Sequence, residues 1–317
     1  MTARPTTEAR PLPPAAAEFL ETLRVQRRMS PHTLAAYRRD LEALAAAAGS
    51  TPIDRIAGAD LRGFVARMHA GGLSGASLAR RLSAWRSFYR WLGQQQRVAS
   101  NPVVGIRAPR RAKRLPKALA PDQAVRLAGH ETDGSPLALR DRAMVELLYS
   151  SGLRLAELVG LDWRHFPAVG NAPASSSWID PESRLVTVLG KGGKTRAVPI
   201  GTAALDALRH WLIARAQVRN VDPRALFVSE RGRRIAPRSV QQRLALLARK
   251  LGLGVHVHPH VLRHSMASHV LQSSGDLRAV QELLGHANIS TTQIYTRLDW
   301  QHLAQAYDAA HPRARRR

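Results

Sequence analysis

Between residues 154 and 295 the chain spaces out two arginines, a lysine-bearing turn, two histidines and a tyrosine, a set whose joint chemistry suits a phosphodiester. A phosphoryl group passing through a pentavalent transition state gains negative charge on its non-bridging oxygens. Guanidinium forks such as Arg154 and Arg263 neutralise that charge where a divalent metal otherwise would. The phenol of Tyr295, with an ordinary pKa of about 10, can serve as nucleophile and then as leaving group for rejoining. The departing sugar hydroxyl needs a proton, which a lysine or a histidine can give. Every residue type then has a role, and no metal or other cofactor is expected.

The local contexts support this unevenly. Arg154 lies in Ser151-Gly-Leu-Arg-Leu-Ala-Glu-Leu158, where Gly152 reads as a loop residue and Arg154 as the start of a helix. A guanidinium beside free backbone N–H groups makes a good anion site, although a surface arginine capped by Glu157 has the same signature. The turn Gly190-Lys-Gly-Gly-Lys-Thr195 has Val188 where a P-loop needs glycine, and it joins two strands rather than a strand and a helix, so an ATPase reading fails. A lysine on its tip, Lys191 or Lys194, can swing into a site and donate a proton; a solvated turn lysine is the plainer alternative. His260 and Arg263 stand three apart in a helix opened by Pro259, and so share a face. His260 and His264 have zinc-helix spacing, but Val261 replaces the usual glutamate and the chain has no cysteine, so zinc is set aside. Gly285 reads as a C-cap that turns His286 outward, and Ser290 as the N-cap of a short helix carrying Tyr295.

Positioning these residues requires two domains, and the sequence divides accordingly. Residues 1–14 read as a flexible tail and 15–105 as a helical DNA-binding domain. There, Ser30-Pro31 starts a helix with Leu34, Tyr37, Leu41 and Leu44 on its buried stripe, while Arg38, Arg39 and Asp40 fall away from it. A second helix, residues 77–92, buries Leu78, Leu82, Trp85, Tyr89 and Leu92. Arg38, Arg80, Arg81 and Arg86 are candidate contacts to a DNA backbone, against the alternative of a solvated basic face. Lys194 is a further candidate contact. Residues 106–119, Pro-punctuated and basic, form a linker; 120–300 form the catalytic domain; 301–317 form a C-terminal docking helix and basic tail. Runs 185–189 and 195–200 flank the Gly-rich turn as a hairpin, with Trp178-Ile-Asp180 as a third short strand. Helices are expected over 203–217, 237–251, 259–272 and 276–284. Residues 170–177 look like an inserted surface loop.

Composition agrees. Lys+Arg 48 against Asp+Glu 23 gives a net charge of +25, which attracts polyanions, nucleic acid above all. The absence of cysteine excludes disulfides and thiol chemistry. No stretch approaches the length of a membrane span and no signal peptide is evident, so a soluble cytoplasmic protein is expected.

The ordered set resembles the tyrosine recombinase (phage integrase) family, whose signature runs Arg, Lys, His-x-x-Arg, His, Tyr. By that resemblance the catalytic residues are Arg154, Lys191, His260, Arg263, His286 and the nucleophile Tyr295; a Gly-Lys-Gly tip favours Lys191 over Lys194. Ser30-Pro-His-Thr-Leu-Ala-Ala-Tyr37 is similar to the start of the family's core-binding domain. The stretches 275–288, 290–296 and 299–313 are similar to its Xer branch, and the likeness spans residues 15–315. It implies a mainly α fold with a small antiparallel β-sheet, arranged as a two-domain C-shaped DNA clamp with a SAM-like N-domain. It also implies a 3′-phosphotyrosine intermediate, a Holliday junction, and a heterotetramer with a XerD-like recombinase on double-stranded DNA at a dif-like site. The activity would be metal- and ATP-independent strand transfer that resolves chromosome dimers at cell division, with a cell-division DNA translocase as a further partner and no membrane insertion. The segment around Leu303–Tyr307 would dock into a neighbouring protomer, or else pack on its own domain. Rival readings are a phage or plasmid integrase or resolvase of the same family, a type IB topoisomerase, and a non-enzymatic DNA binder, which explains the charge but not the ordered residues.

Overall fold

In a computed structural model, residues 12–109, 118–190, 193, 195–284 and 311–313 are described. The chain divides into two units, residues 1–114 and 115–317. The first contains α1 (Pro14–Val25), α2 (Pro31–Ala48), α3 (Gly58–Ala70) and α4 (Gly75–Gln94), with a single 3₁₀ turn at Ile53–Arg55. Serines start two of them: Ser30 accepts from the Thr33 N–H and Ser74 from the Ser77 N–H, each at 3.2 Å. Of the expected stripes, Leu41, Leu44, Leu78, Leu82, Trp85, Tyr89 and Leu92 are buried, and Leu34 and Tyr37 are half-buried. Pro14 belongs to α1, so the helical unit begins one residue inside the expected tail.

Asp40 corrects the sequence reading. Expected to face away with Arg38 and Arg39, it is buried instead. It precedes Leu41 and lies one turn before Leu44, so it sits at the edge of the stripe, where α4 covers it. The Trp85 indole donates to its carbonyl at 2.7 Å, and Arg80 and Arg81 pair with its carboxylate. Burial pushes its carboxyl up from the usual range, while the charges of Arg80 and Arg81 pull it back. Two candidate DNA contacts thus also pair with a buried carboxylate, with Arg80 still 49% exposed and Arg81 23%. Arg86 is likewise engaged, donating to the Ile106 carbonyl at 3.1 Å, whereas Arg38 is exposed.

The second unit is organised around α6 (Pro136–Ser151). The helix buries Ala143, Met144, Val145, Leu147, Leu148 and Tyr149 on all sides, the signature of a central helix. Its polar residues must then find partners inside: Arg140 donates to Asp141 and to the Val228 carbonyl, and Asp141 also pairs with Arg243. Around it stand α5 (Pro121–Ala128), α8 (Thr202–Ala216), α9 (Pro237–Lys250) and α10 (Pro259–Ser274), with α11 (Leu277–Leu284) packed on α10; the short α7 (Leu155–Gly160) follows it directly. Strands β1 (Trp178–Asp180), β2 (Leu185–Leu189) and β3 (Thr195–Pro199) form one antiparallel sheet in that order, so the third strand expected at 178–180 is present. The β2–β3 register sets Val188 opposite Arg196 and Leu189 opposite Thr195. The inserted stretch is exposed at 170–174 but anchored at its end, where buried Ser175 donates to Asp162 at 2.6 Å. No helix among the described residues is long and apolar enough to cross a membrane.

Candidate active site

Gly152 ends α6 in the left-handed conformation, with φ +56. The positive φ favours glycine, and a Cβ there would also push against the Met266 methyl, which would have to shift. Leu153 is buried beyond it, which brings Arg154 to the N-cap of α7. Glu157 folds back from the first turn. Its Oε2 accepts the Arg154 backbone N–H at 2.7 Å, and its Oε1 accepts from Arg154 Nη1 at 2.8 Å. Glu157 caps Arg154, as the plainer alternative had it, and Arg154 still leaves 33% of its side chain exposed.

A second guanidinium binds the same carboxylate. Arg196 on β3 donates from Nη1 to Oε1 at 2.8 Å and from Nη2 to Oε2 at 2.9 Å, a fork-to-fork pair. The Glu157 and Arg196 side chains are 5% and 10% exposed. Burial alone would raise the Glu157 carboxyl; the hydrogen bonds and charge of Arg196, with those of Arg154, outweigh it and hold the pKa at about 2. Arg196 was not singled out from sequence. Its only signal was a charged residue early in a strand whose later residues turn inward, next to the Gly-rich turn.

Arg263, one turn along α10 from His260, is buried, and its guanidinium donates to the carbonyls of Gly152 and Leu284. It therefore stitches the turn leading to Arg154 to the last residue of α11. Burial, then the neighbouring charges of Arg154 and Arg196, push its pKa down to about 10, against the opposing pull of Glu157. Arg154, Arg196, Arg263 and Glu157 are one electrostatic cluster carrying a surplus of positive charge. His260 is exposed, so it and Arg263 differ in depth; its ring centroid lies 6.1 Å from that of His258. Burial and the flanking His256 and His260 push the His258 pKa down.

Lys191, Lys194, Gly285, His286, Ser290 and Tyr295 lie outside the described residues, as do Leu303–Tyr307. The structure does define the elements that flank them. The turn with both lysines opens from β2 and β3 one residue before Arg196. On the far side of Tyr295, residues 311–313 pack on the same unit: buried His311 hydrogen-bonds the Tyr149 carbonyl at 3.2 Å, and Arg313 pairs with Glu146, whose side chain is 0% exposed.

Comparison with known proteins agrees with this geometry. The description "Phage integrase family" matches residues 117–302, and "Phage integrase, N-terminal SAM-like domain" matches residues 16–96. Tyrosine recombinase XerC 1 of Ralstonia nicotianae is 52% identical over 314 residues, covering 96% of this chain and 95% of the relative. Tyrosine recombinase XerC of Xanthomonas campestris pv. campestris is 52% identical over 306 residues, covering 96% and 90%. Among solved structures, XerH site-specific recombinase bound to a palindromic difH substrate aligns with TM-score 0.64 at 21% identity, over 92% of this chain and 84% of that one. A lambda integrase dimer bound to a core site aligns with TM-score 0.64 at 17% identity, over 89% and 98%; these two likenesses speak for the fold. With its guanidinium cluster, mainly helical fold and near full-length relatives, the chain belongs to the phage integrase family, as a tyrosine recombinase that cuts and rejoins DNA strands.

Proposed function

We propose that this chain is the XerC-type member of a recombinase pair, acting in the cytoplasm on a dif-like site to resolve chromosome dimers at cell division. A XerD-like recombinase completes a heterotetramer, with a cell-division DNA translocase as a further partner. Tyr295 attacks the scissile phosphate and holds the DNA as a 3′-phosphotyrosine. Lys191 protonates the departing 5′ hydroxyl. Arg154 and Arg263 offset the charge gained by the non-bridging oxygens, with His260 and His286 as further donors to the same phosphate. The observation that carries this reading is the cluster of three guanidinium groups around one carboxylate, charge-dense and partly open at Arg154. Three positive charges against one negative favour an incoming phosphate, and Arg154 has donors beyond the Nη1 given to Glu157.

The test uses a nicked dif-like duplex, with and without a XerD-like partner. Wild type should form a covalent protein–DNA adduct, stimulated by the partner and unchanged by EDTA. Tyr295→Phe should bind the site normally and form no adduct. A normal adduct level in Tyr295→Phe, or strict Mg²⁺ dependence, would overturn the chemistry. Cleavage confined to plasmid or phage sites and indifferent to the partner would move the chain to the integrase or resolvase reading.

A further inference from the structure

We infer that Arg196 is a positioning residue for strand cleavage, occupying half of Glu157 so that the carboxylate holds Arg154 without sequestering it. The inference rests on the phosphoryl-transfer reading above. An ionised carboxylate offers about four lone-pair sites. In Glu157 each oxygen accepts twice: Oε1 from Arg154 Nη1 and Arg196 Nη1, Oε2 from the Arg154 backbone N–H and Arg196 Nη2. The carboxylate is saturated, and Arg154 contributes a single side-chain N–H to it. The rest of the Arg154 fork is left for a phosphate.

The cost to Arg196 is visible. Its fork is committed to Glu157, while its Nε is buried with no hydrogen-bond partner. Without Arg196, Glu157 would have two empty acceptor sites and an under-compensated buried charge. Arg154 is then the donor in reach, and a full bidentate pair with Glu157 would draw its guanidinium away from the phosphate. The cluster would also fall from a net of two positive charges to one. Lysine could restore the charge but not the fork. Because Arg196 stands opposite Val188 in the β2–β3 pairing, the same pair also ties β3 to the N-cap of α7.

Single-turnover cleavage of the nicked site at saturating DNA reads this directly, with affinity measured separately by fluorescence anisotropy. Arg196→Ala should slow cleavage about 100-fold while DNA affinity stays within about threefold, since what is lost is transition-state stabilisation. Arg196→Lys should recover about tenfold of that loss. The double variant Arg196→Ala/Glu157→Gln should cleave about tenfold faster than Arg196→Ala, because a neutral amide no longer competes for Arg154. A merely structural ion pair predicts no such rescue. The inference is overturned by Arg196→Ala cleaving within about threefold of wild type, or by a double variant no faster than Arg196→Ala. If Arg196→Ala does not fold, Arg196→Lys decides alone: about tenfold slower supports the inference, an unchanged rate overturns it. A wild type without any Tyr295-dependent adduct refutes the functional reading and this inference with it; a normal wild type with a normal Arg196→Ala refutes the inference alone.

Discussion

Replacing Glu157 with glutamine removes the carboxylate shared by Arg154 and Arg196 while keeping its shape. The carboxyl stands at about 2 in the folded chain against an ordinary 4.5. At 1.36 kcal/mol per pH unit, that difference makes the ionised group worth about 3 kcal/mol to the second unit at neutral pH. The figure sits at the lower end of the roughly 3–5 kcal/mol expected when one partner of a buried ion pair is removed. The sign follows from the lowered pKa: the contribution is complete above the ordinary 4.5 and is lost as pH falls through about 2. Wild type should therefore exceed Glu157→Gln by about 3 kcal/mol at pH 7 and by about half that at pH 3. Because the chain has two units, a single unfolding curve mixes them. Hydrogen exchange under increasing urea, read on peptides from residues 136–160, isolates the relevant one. A loss below about 1 kcal/mol at pH 7, or one that stays constant from pH 7 to 3, refutes the assignment of Glu157 as the shared partner of both arginines.

Gly152→Ala forces a left-handed alanine and displaces the Met266 methyl; together these should cost the second unit about 2–3 kcal/mol, and a urea-midpoint change equivalent to less than about 0.5 kcal/mol refutes the packing described. His311 is buried with its pKa pushed down to about 3 by burial, against its hydrogen bond to Tyr149. Docking of residues 311–313 is then complete above an ordinary 6.5 and weakens as pH falls from there toward 3. Carboxypeptidase trimming should accelerate between pH 7.5 and pH 5, and Arg313→Ala should be trimmed fast already at pH 7.5; trimming insensitive to both refutes the docking of His311 and Arg313 on α6.

What was legible in the sequence was local. Proline after serine marked α2, the apolar spacing of α4 marked its buried face, and the Gly-rich turn between two β-branched runs marked the β2–β3 hairpin. Arg154, His260 and Arg263 were legible as an ordered series, and the structure brings Arg154 and Arg263 into one electrostatic cluster. What escaped depended on partners remote in sequence. Arg196 meets Glu157 across 39 residues, and Arg313 meets Glu146 across 167. A charge pattern on one helix says nothing about either, because the fold rather than the periodicity closes those distances. Asp40 was misread for the same reason: its own helix places it at the stripe's edge, and the burial is decided by Arg80, Arg81 and Trp85 arriving from α4.

These long-range contacts bear on the nucleophile. Residues 285–310, which include His286 and Tyr295, run between two anchored points on the second unit. At the first, the Leu284 carbonyl accepts from Arg263, whose other donor holds the Gly152 turn beside Arg154. At the second, Arg313 neutralises a carboxylate on α6 that has no exposed surface, and His311 caps the Tyr149 carbonyl on the same helix. Both anchors therefore lead back to α6 or to the turn at its end. A disturbance at either end of the tyrosine-bearing segment has a short covalent and hydrogen-bonded route to the arginine cluster. Breaking the Arg313–Glu146 pair would therefore leave a buried, uncompensated charge on the helix whose end leads to Arg154.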